Sequence, residues 1–312
     1  MGLKLRSPII AGSCGLTSDV EKMVEMEKAG VGAVVLKSIF EEQINEETSG
    51  VFKAGYGMGD AYPEAEDYIK AYIRSNTIQK YVELVRNAKS RLTIPVIASV
   101  NCFSGGEWVS FARQLEEAGA DALELNVFIL PVNEFKESAE VENVYFEIVK
   151  SIKSQIKIPV SVKISHYFTN LSAFVDKIKA YGANATTLFN RFYEPDININ
   201  TLEMGAASVF STAAELRTTL RWTGILAGKD KKLEISASTG VHGGEAAVKL
   251  LLAGATTVQV CSVLYEKGIH VIEDINNFIG KWMDSKAFKT IGDYRGMLSY
   301  SSIENPDLYE RA

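Results

Sequence analysis

Cysteine and histidine are scarce in this sequence, with three residues of each among 312. The cysteines are Cys14, Cys102 and Cys261, and the histidines are His166, His242 and His270. Because the cysteines lie far apart and outside any CxxC spacing, we expect free thiols rather than disulfides, a zinc site or an iron–sulfur cluster. The histidines form no HExxH-type array, so the sequence predicts no metal site.

Long apolar runs and an excess of positive charge are also missing. No stretch approaches the roughly 20 apolar residues that span a bilayer. The apolar stretch in "MGLKLRSPII" is too short for a secretory signal. The formal net charge is −6, with lysine and arginine scattered along the chain. We therefore expect a cytoplasmic protein that acts on a small molecule, with neither a membrane nor nucleic acid as partner.

A repeated joint between helix and strand is present instead. It occurs as "EKAGVGAVVLKS", "EEAGADALELNV", "KAYGANATTLFN" and "LLAGATTVQVCS". Each begins as the end of an amphipathic helix, passes through a glycine and continues as an apolar strand. The glycines are Gly30, Gly119, Gly182 and Gly254. Glycine suits the left-handed conformation that ends a helix, so the pattern predicts alternating helices and parallel strands.

Eight strands are predicted in all. They lie near 8–11, 33–38, 95–101, 122–127, 159–164, 185–189, 233–238 and 257–261. Eight units in about 300 residues favour a closed (β/α)8 TIM barrel over an open sheet, and no GxGxxG follows the first strand. We predict one domain over 1–312, with an insertion after strand 2, at 39–94, over the barrel mouth; a lid and a plain surface excursion are both consistent with it.

Charged and polar side chains are predicted to point into this barrel. In "VSVKIS" the apolar residues alternate with Ser161 and Lys163, and in "LELNV" they alternate with Glu124 and Asn126. Lys37 ends the second strand at the same level. A buried Lys163–Glu124 ion pair is the plain structural interpretation, whereas a lysine facing a ligand is the functional one. Active sites of this fold lie at the C-terminal ends of the strands, which favours the second.

The stretch "ISASTGVHGGEAAVKLL" at 235–251 passes from a strand through small residues into a helix. The loops after strands seven and eight bind phosphate in many barrels, because small residues expose backbone N–H groups. Thr239 and Gly240 follow strand seven, and Cys261 and Ser262 follow strand eight. An ordinary tight turn is the alternative. A phosphate here with Lys163 on the opposite wall outlines a flavin mononucleotide (FMN) site, because a lysine stabilises the negative charge of a reduced flavin.

Seven segments, in order and spacing, resemble the soluble, FMN-dependent class 1 dihydroorotate dehydrogenases. They are "SPIIAGSCG", "VVLKS", "LELN", "VSVKISHYF", "LFNR", "STGVHGGEAAVKLLLAGATTVQVCSVLYEKG" and "IGDYRGML". The resemblance covers nearly the whole chain and implies an FMN-binding barrel that oxidises dihydroorotate in pyrimidine synthesis. It also implies a homodimer.

Site residues follow from the same resemblance, position by position. For the cofactor it implies Ala11, Gly12, Ser13, Lys37, Ser38, Asn126, Lys163, Thr239, Gly240, Cys261 and Ser262. For the substrate it implies Lys37, Asn126 and Asn190.

The catalytic base is where the sequence departs from the family. A cysteine or serine is expected in the loop after the fourth strand, but Val127-Phe128-Ile129-Leu130 stand there. Lys37 and Cys102 are the predicted catalytic residues, with Cys102 as a replacement base and Cys14 as its competitor; a packed, inert Cys102 is the alternative. Arg191 follows Asn190 where the family has serine, which suggests an altered substrate site.

The leading functional prediction is hydride transfer between dihydroorotate, or a related dihydropyrimidine, and FMN. Three alternatives stay open: a flavin reductase of another cyclic substrate, a non-catalytic barrel that binds a flavin or a phosphorylated ligand, and a flavin-free lyase or isomerase. The third needs a second acid/base pair at the rim, which the sequence does not obviously supply.

Overall fold

A computed structural model describes residues 1–40, 63–101, 105–127, 129–191 and 194–311. Within these ranges, eight parallel strands close into a barrel surrounded by helices. The barrel strands are β1 (Ile9–Ala11), β2 (Ala33–Val35), β4 (Val96–Asn101), β5 (Ala122–Asn126), β6 (Val160–Ile164), β7 (Ala185–Leu188), β10 (Glu234–Ala237) and β11 (Thr257–Val260). The predicted TIM barrel is confirmed, and each of these strands lies within a predicted one.

The helices are α1 (Val20–Lys28), α2 (Pro63–Arg91), α3 (Gly105–Glu117), α4 (Ser138–Lys153), α5 (Leu171–Ala180), α6 (Leu216–Lys229), α7 (Gly244–Ala253), α8 (Ser262–Lys267), α9 (Val271–Ser285) and α10 (Asp307–Glu310). None of the described helices is both long and apolar enough to cross a membrane. The glycines of the four repeated joints all have φ between +95° and +121°, as the helix endings require. Three short strands complete the sheets: β3 (Ile39–Phe40), which extends the barrel beside β4, and the hairpin β8 (Pro195–Asn198) and β9 (Glu203–Ala206).

The predicted insertion at 39–94 contains a helix that the sequence pattern does not reveal. Helix α2 packs against α1, α3 and β4, so it is the crossover helix between two barrel strands and not an addition to the fold. Residues 63–91 of the predicted insertion form this helix. The part of the insertion at 41–62 lies outside the described residues, and a lid there stays a prediction.

Strand alternation places the two faces of the barrel wall as predicted. Leu123, Leu125 and Val162 belong to the apolar core that packs against the helices. On the other face, the Oε2 atom of buried Glu124 accepts hydrogen bonds from Thr187 Oγ1 at 2.9 Å and Gln259 Nε2 at 2.8 Å. The barrel interior is thus polar beneath its C-terminal rim.

Candidate active site

Most of the predicted site residues meet at one cleft. It lies at the C-terminal ends of the strands, where active sites of this fold are found. Its walls include eight predicted residues: Gly12, Ser13, Lys163, Asn190, Thr239, Gly240, Cys261 and Ser262.

Backbone geometry shapes the edge of the cleft after β10. Thr239 has φ of +81° and Gly240 has φ of +77°, a region in which a side chain is strained. The Thr239 hydroxyl donates to the Phe189 carbonyl at 3.2 Å, which helps hold its strained conformation. At Gly240, a Cβ atom would lie 2.2 Å from the backbone nitrogen of Leu216. Only glycine fits there, and the turn keeps its main chain at the cleft surface.

A hydroxyl and imidazole cluster at this edge was not predicted. The Ser211 backbone N–H donates to Ser262 Oγ at 3.0 Å, and Ser211 Oγ lies 3.3 Å from His242 Nε2. His242 Nδ1 lies 3.1 Å from a carboxylate oxygen of Glu266. Ser211 belongs to an irregular segment without a motif, so no sequence signal pointed to it. The cluster adds polar groups beside the predicted phosphate position.

Lys163 lies on β6, in register with Asn126 on β5 and Thr187 on β7. Its side chain is half-buried, lines the cleft and forms no hydrogen bond or ion pair with the described residues. The Lys163–Glu124 pair considered from the sequence is therefore wrong: Glu124 is held by Thr187 and Gln259. A half-buried ammonium without a protein partner favours an anionic ligand.

The ends of β1 and β2 are joined by hydroxyl groups. The Ser38 backbone N–H donates to Ser13 Oγ at 2.9 Å, and Ser38 Oγ lies 3.1 Å from Ser13 Oγ and 2.7 Å from Ser99 Oγ. Ala11 is buried at the end of β1. Lys37 is exposed at the end of the second strand and is not among the residues lining the cleft. Its predicted roles in cofactor and substrate binding stay predictions.

Two predicted substrate residues contact each other. Asn190 Nδ2 donates to Asn126 Oδ1 at 2.9 Å, which brings the ends of β7 and β5 together. Arg191, which in the sequence suggests an altered substrate site, has protein partners instead. Its guanidinium donates to Glu215 at 2.9 Å, to Glu194 at 3.1 Å and to the carbonyls of the loop after the hairpin. Arg191 holds the loop after β7 and is not free for a ligand in this arrangement.

The loop after β5 contains no cysteine or serine from 127 to 137, where the resemblance places the proton acceptor. Val127 is buried, Ile129 packs on the core, and Cys102, the predicted replacement, lies outside the described residues. Among described residues, His166 follows β6 and borders a second cleft whose walls also include Asn190 and Thr239. Partial burial lowers the pKa of His166, so its imidazole is uncharged at pH 7 and can accept a proton. No sequence motif pointed to this histidine as a base.

These features define a TIM barrel with a polar cleft at the C-terminal ends of its strands. The family model described as "Dihydroorotate dehydrogenase" matches residues 1–283. The chain is 30% identical to the "Dihydroorotate dehydrogenase B (NAD(+)), catalytic subunit" of Thermoplasma acidophilum, over 95% of this chain and 96% of the relative. Proteins with the same description from Thermoplasma volcanium and Pyrococcus furiosus are 27% and 26% identical, each over 95% of this chain and 96% of the relative.

The chain therefore belongs to the dihydroorotate dehydrogenase family. The family's enzymes are oxidoreductases that act on the CH–CH bond of dihydroorotate in pyrimidine biosynthesis, so the predicted family and enzyme class are confirmed.

The described residues fit the predicted cofactor. Lys163 offers a cation that has no hydrogen-bond or ion-pair partner among the described residues, and the turn at Thr239–Gly240 presents backbone at the other wall of the same cleft. An FMN molecule carries negative charge at its phosphate and, once reduced, on its ring, so this donor set matches both ends.

Proposed function

We propose that this chain is an FMN-dependent dehydrogenase that oxidises dihydroorotate or a closely related dihydropyrimidine. The observation that carries the proposal is the cleft itself, with Lys163 unpaired on one wall and the small residues after β10 and β11 on the other. When bound, FMN supplies a two-electron acceptor for the hydride of the substrate.

In this proposal each wall of the cleft has its own role. Backbone N–H groups of Thr239, Gly240, Cys261 and Ser262 bind the phosphate. The flavin ring lies along Ala11, Gly12 and Ser13 at the end of β1, with Ser38 beside them. Lys163 stabilises negative charge that develops on the pyrimidine side of the ring. Asn126 and Asn190 orient the substrate through their amides. Lys37 closes the site from the end of the second strand.

A proton must also leave the carbon next to the hydride donor. Cys102 is the sequence-based candidate for the acceptor, and His166 is the candidate that the described residues supply. A thiol with an ordinary pKa of about 8.5 needs a cationic neighbour to act at neutral pH, whereas a neutral imidazole does not. The two assignments are separated by mutation below.

We also propose a homodimer built on the hairpin β8–β9. Four apolar side chains of this segment are between 60% and 85% exposed: Ile197, Ile199, Leu202 and Met204. Such an exposed apolar set is typical of a protein interface, and a second copy of the chain is the proposed occupant. A monomer by light scattering, unchanged by Ile199→Lys, would contradict this proposal. The cytoplasmic location and the absence of nucleic-acid binding stay predictions.

The decisive experiment is the visible spectrum of the purified protein, followed by anaerobic titration with dihydroorotate. We expect flavin absorbance, retained after reconstitution with FMN, and bleaching by dihydroorotate that fumarate or NAD⁺ reverses. A protein that binds FMN but is bleached only by other dihydropyrimidines would identify the alternative reductase. A colourless protein that cannot be reconstituted would contradict both.

A further inference from the structure

The hydroxyl of Ser211 joins three segments at the edge of the cleft. Ser211 is buried and precedes α6, whereas His242 follows β10 and Ser262 follows β11. The neighbouring side chain, Phe210, stacks on Tyr265 of α8 with the ring centroids 5.2 Å apart. The segment that carries Ser211 is therefore packed against the loops for which we propose phosphate binding.

Ser262 receives two hydrogen bonds from one residue. The backbone N–H of Ser211 donates to Ser262 Oγ at 3.0 Å, and the Ser211 hydroxyl donates to the same oxygen at 3.1 Å. A serine hydroxyl has one donor and two acceptor positions, so both acceptor positions of Ser262 are used within the protein. Since Ser262 lines the cleft, its O–H proton is available to an acceptor atom of a ligand there.

The same count requires a proton on the other side of Ser211. The Ser211 oxygen accepts from the Gly240 N–H at 3.4 Å and lies 3.3 Å from Nε2 of His242. Because the Ser211 proton already goes to Ser262, this ring nitrogen has to be the donor. The other ring nitrogen, Nδ1, lies 3.1 Å from a carboxylate oxygen of Glu266 and donates to it. A histidine that donates from both nitrogens is an imidazolium.

A neutral imidazole reverses the direction of these bonds. With Nδ1–H still donated to Glu266, Nε2 is an acceptor and takes the proton of Ser211. Ser262 then loses one donor, and its own proton can go to Ser211 Oγ instead of to a ligand. Protonation of His242 and the free donor of Ser262 are therefore linked through Ser211.

The charged side chains around this imidazole are few. Lys267 on α8 donates to the main-chain carbonyl of His242 at 3.0 Å and not to its ring. Glu245 at the start of α7 pairs with a lysine of the same helix, and Lys163 lines the cleft from β6. Among the described residues, Glu266 is thus the acidic side chain in contact with the ring.

We propose that the Ser262 side chain binds the phosphate of the cofactor, that Ser211 and His242 fix the direction of its proton, and that binding is coupled to protonation of His242. This inference rests on the function proposed above. Ser262 contacts the ligand, whereas Ser211 and His242 are positioning residues. A hydroxyl held as a donor to a charged phosphate oxygen forms a strong hydrogen bond. The network therefore selects FMN over riboflavin, which has the same ring and ribityl chain but no phosphate.

The first test compares FMN with riboflavin on the full-length protein after its flavin has been removed. Fluorescence quenching gives the dissociation constant (Kd) of each flavin. Ser262→Ala and Ser211→Ala should raise the Kd for FMN about 10- to 100-fold, as for the loss of a hydrogen bond to a charged group, and leave the Kd for riboflavin within about twofold. Unchanged riboflavin binding also shows that each variant is folded. Ser285→Ala, at an exposed position at the end of α9, is the matched control.

The second test measures the proton. Titration calorimetry of FMN binding at pH 7.5, in two buffers of different ionisation enthalpy, gives the number of protons that the complex takes up. A phosphate monoester is largely dianionic at this pH. We expect proton uptake by the wild-type protein and little uptake by His242→Gln. The affinity of the wild-type protein for FMN should fall as the pH rises, because binding then requires a proton that is scarcer.

Several results would overturn the proposal. Unchanged FMN affinity in Ser262→Ala, or equal weakening of FMN and riboflavin, would leave Ser262 with a structural role only. Equal proton uptake by the wild-type protein and His242→Gln would remove the histidine from phosphate binding. A wild-type protein that binds both flavins equally well would contradict this proposal alone, whereas one that binds neither would contradict the proposed function as well.

Discussion

The two halves of the barrel rim differ in how they present polar groups. In the half that we propose for the cofactor, at the ends of β6, β10 and β11, a half-buried lysine with no partner among the described residues faces a turn that only glycine can complete. In the substrate half, at the ends of β2, β4 and β5, the described side chains include hydroxyls and an amide, and then apolar Val127 and Ile129. In the proposed function, cofactor binding thus depends largely on backbone shape, whereas the chemistry depends on a few side chains that differ from the family pattern.

The largest expected effect concerns the missing base of the substrate half. Replacing the true proton acceptor should lower the rate of flavin reduction by dihydroorotate about 10²- to 10⁴-fold without loss of FMN. Cys102→Ser and His166→Gln are to be compared by anaerobic stopped flow. If His166 is the acceptor, the rate of the wild-type protein should rise with pH through a pKa below the ordinary value of about 6.5, because only neutral imidazole accepts a proton.

The outcome also separates the two assignments. A large loss in His166→Gln with normal reduction in Cys102→Ser assigns the histidine, and the reverse assigns the cysteine. Normal reduction in both variants would show that the substrate half uses neither.

Lys163→Met tests the cofactor half by removing its unpaired charge. We expect flavin reduction to slow about 10²- to 10³-fold, as for the loss of one donor that stabilises a developing anion. Lys249→Met is the matched control, because Lys249 is an exposed lysine on α7 that pairs with Glu245. Equal reduction rates in the two variants would remove Lys163 from the mechanism.

Gly240→Ala should damage the backbone of the cofactor half directly. The left-handed conformation and the contact with Leu216 together predict a loss of about 2–4 kcal/mol in the free energy of unfolding. Gly243→Ala is the control, because this nearby glycine has an extended backbone and nothing lies within 4 Å of the position that an added Cβ atom would take. Urea denaturation of both variants measures the difference, and similar midpoints would contradict the assigned strain.

The smallest effect is expected for Arg191→Met, which releases the loop after β7. Loss of its charged hydrogen bonds should lower the free energy of unfolding by about 1–2 kcal/mol and speed proteolysis of the hairpin, with exposed Arg217→Met as control. Burial opposes ionisation of Glu215, but bonds from Thr212 and Arg191 lower its pKa overall. The stabilisation should therefore be complete above the ordinary glutamate pKa of about 4.3 and disappear as the pH falls below it. An equal effect at pH 3 and pH 7 would argue against the ion pair.

Much of the fold was predictable because its signals are local. The glycine of each helix–strand joint and the apolar residues of each strand indicate the local conformation by themselves. All four joints and all eight barrel strands are present in the structure. Helix α2 was missed since its apolar residues do not keep to one clear stripe in the sequence, and its burial depends on partners far along the chain. The hairpin β8–β9 was missed because its strands are exposed on both faces, so they lack the alternation of a half-buried strand.

The site divides in the same way. Lys163 followed from strand alternation, and Thr239–Gly240 followed from a run of small residues at a strand end. The contact of Ser211 with Ser262 arises only when distant segments are brought together by closure of the barrel. No spacing in the sequence encodes such contacts.

One tyrosine fixes how the barrel wall is completed. The hydroxyl of Tyr81 on α2 donates to the Ser99 carbonyl at 2.8 Å and accepts from the Ser99 N–H at 2.9 Å. A phenol thereby replaces two main-chain bonds on the edge of β4, at the point where β2 has ended and β3 has not begun. If this helix moved along the barrel, the Ser99 N–H and carbonyl groups would lose the Tyr81 hydroxyl and be left unpaired in an apolar environment. Tyr81 therefore helps to fix the rotational and axial position of the helix, and phenylalanine, although almost identical in shape, would leave both Ser99 groups without this partner.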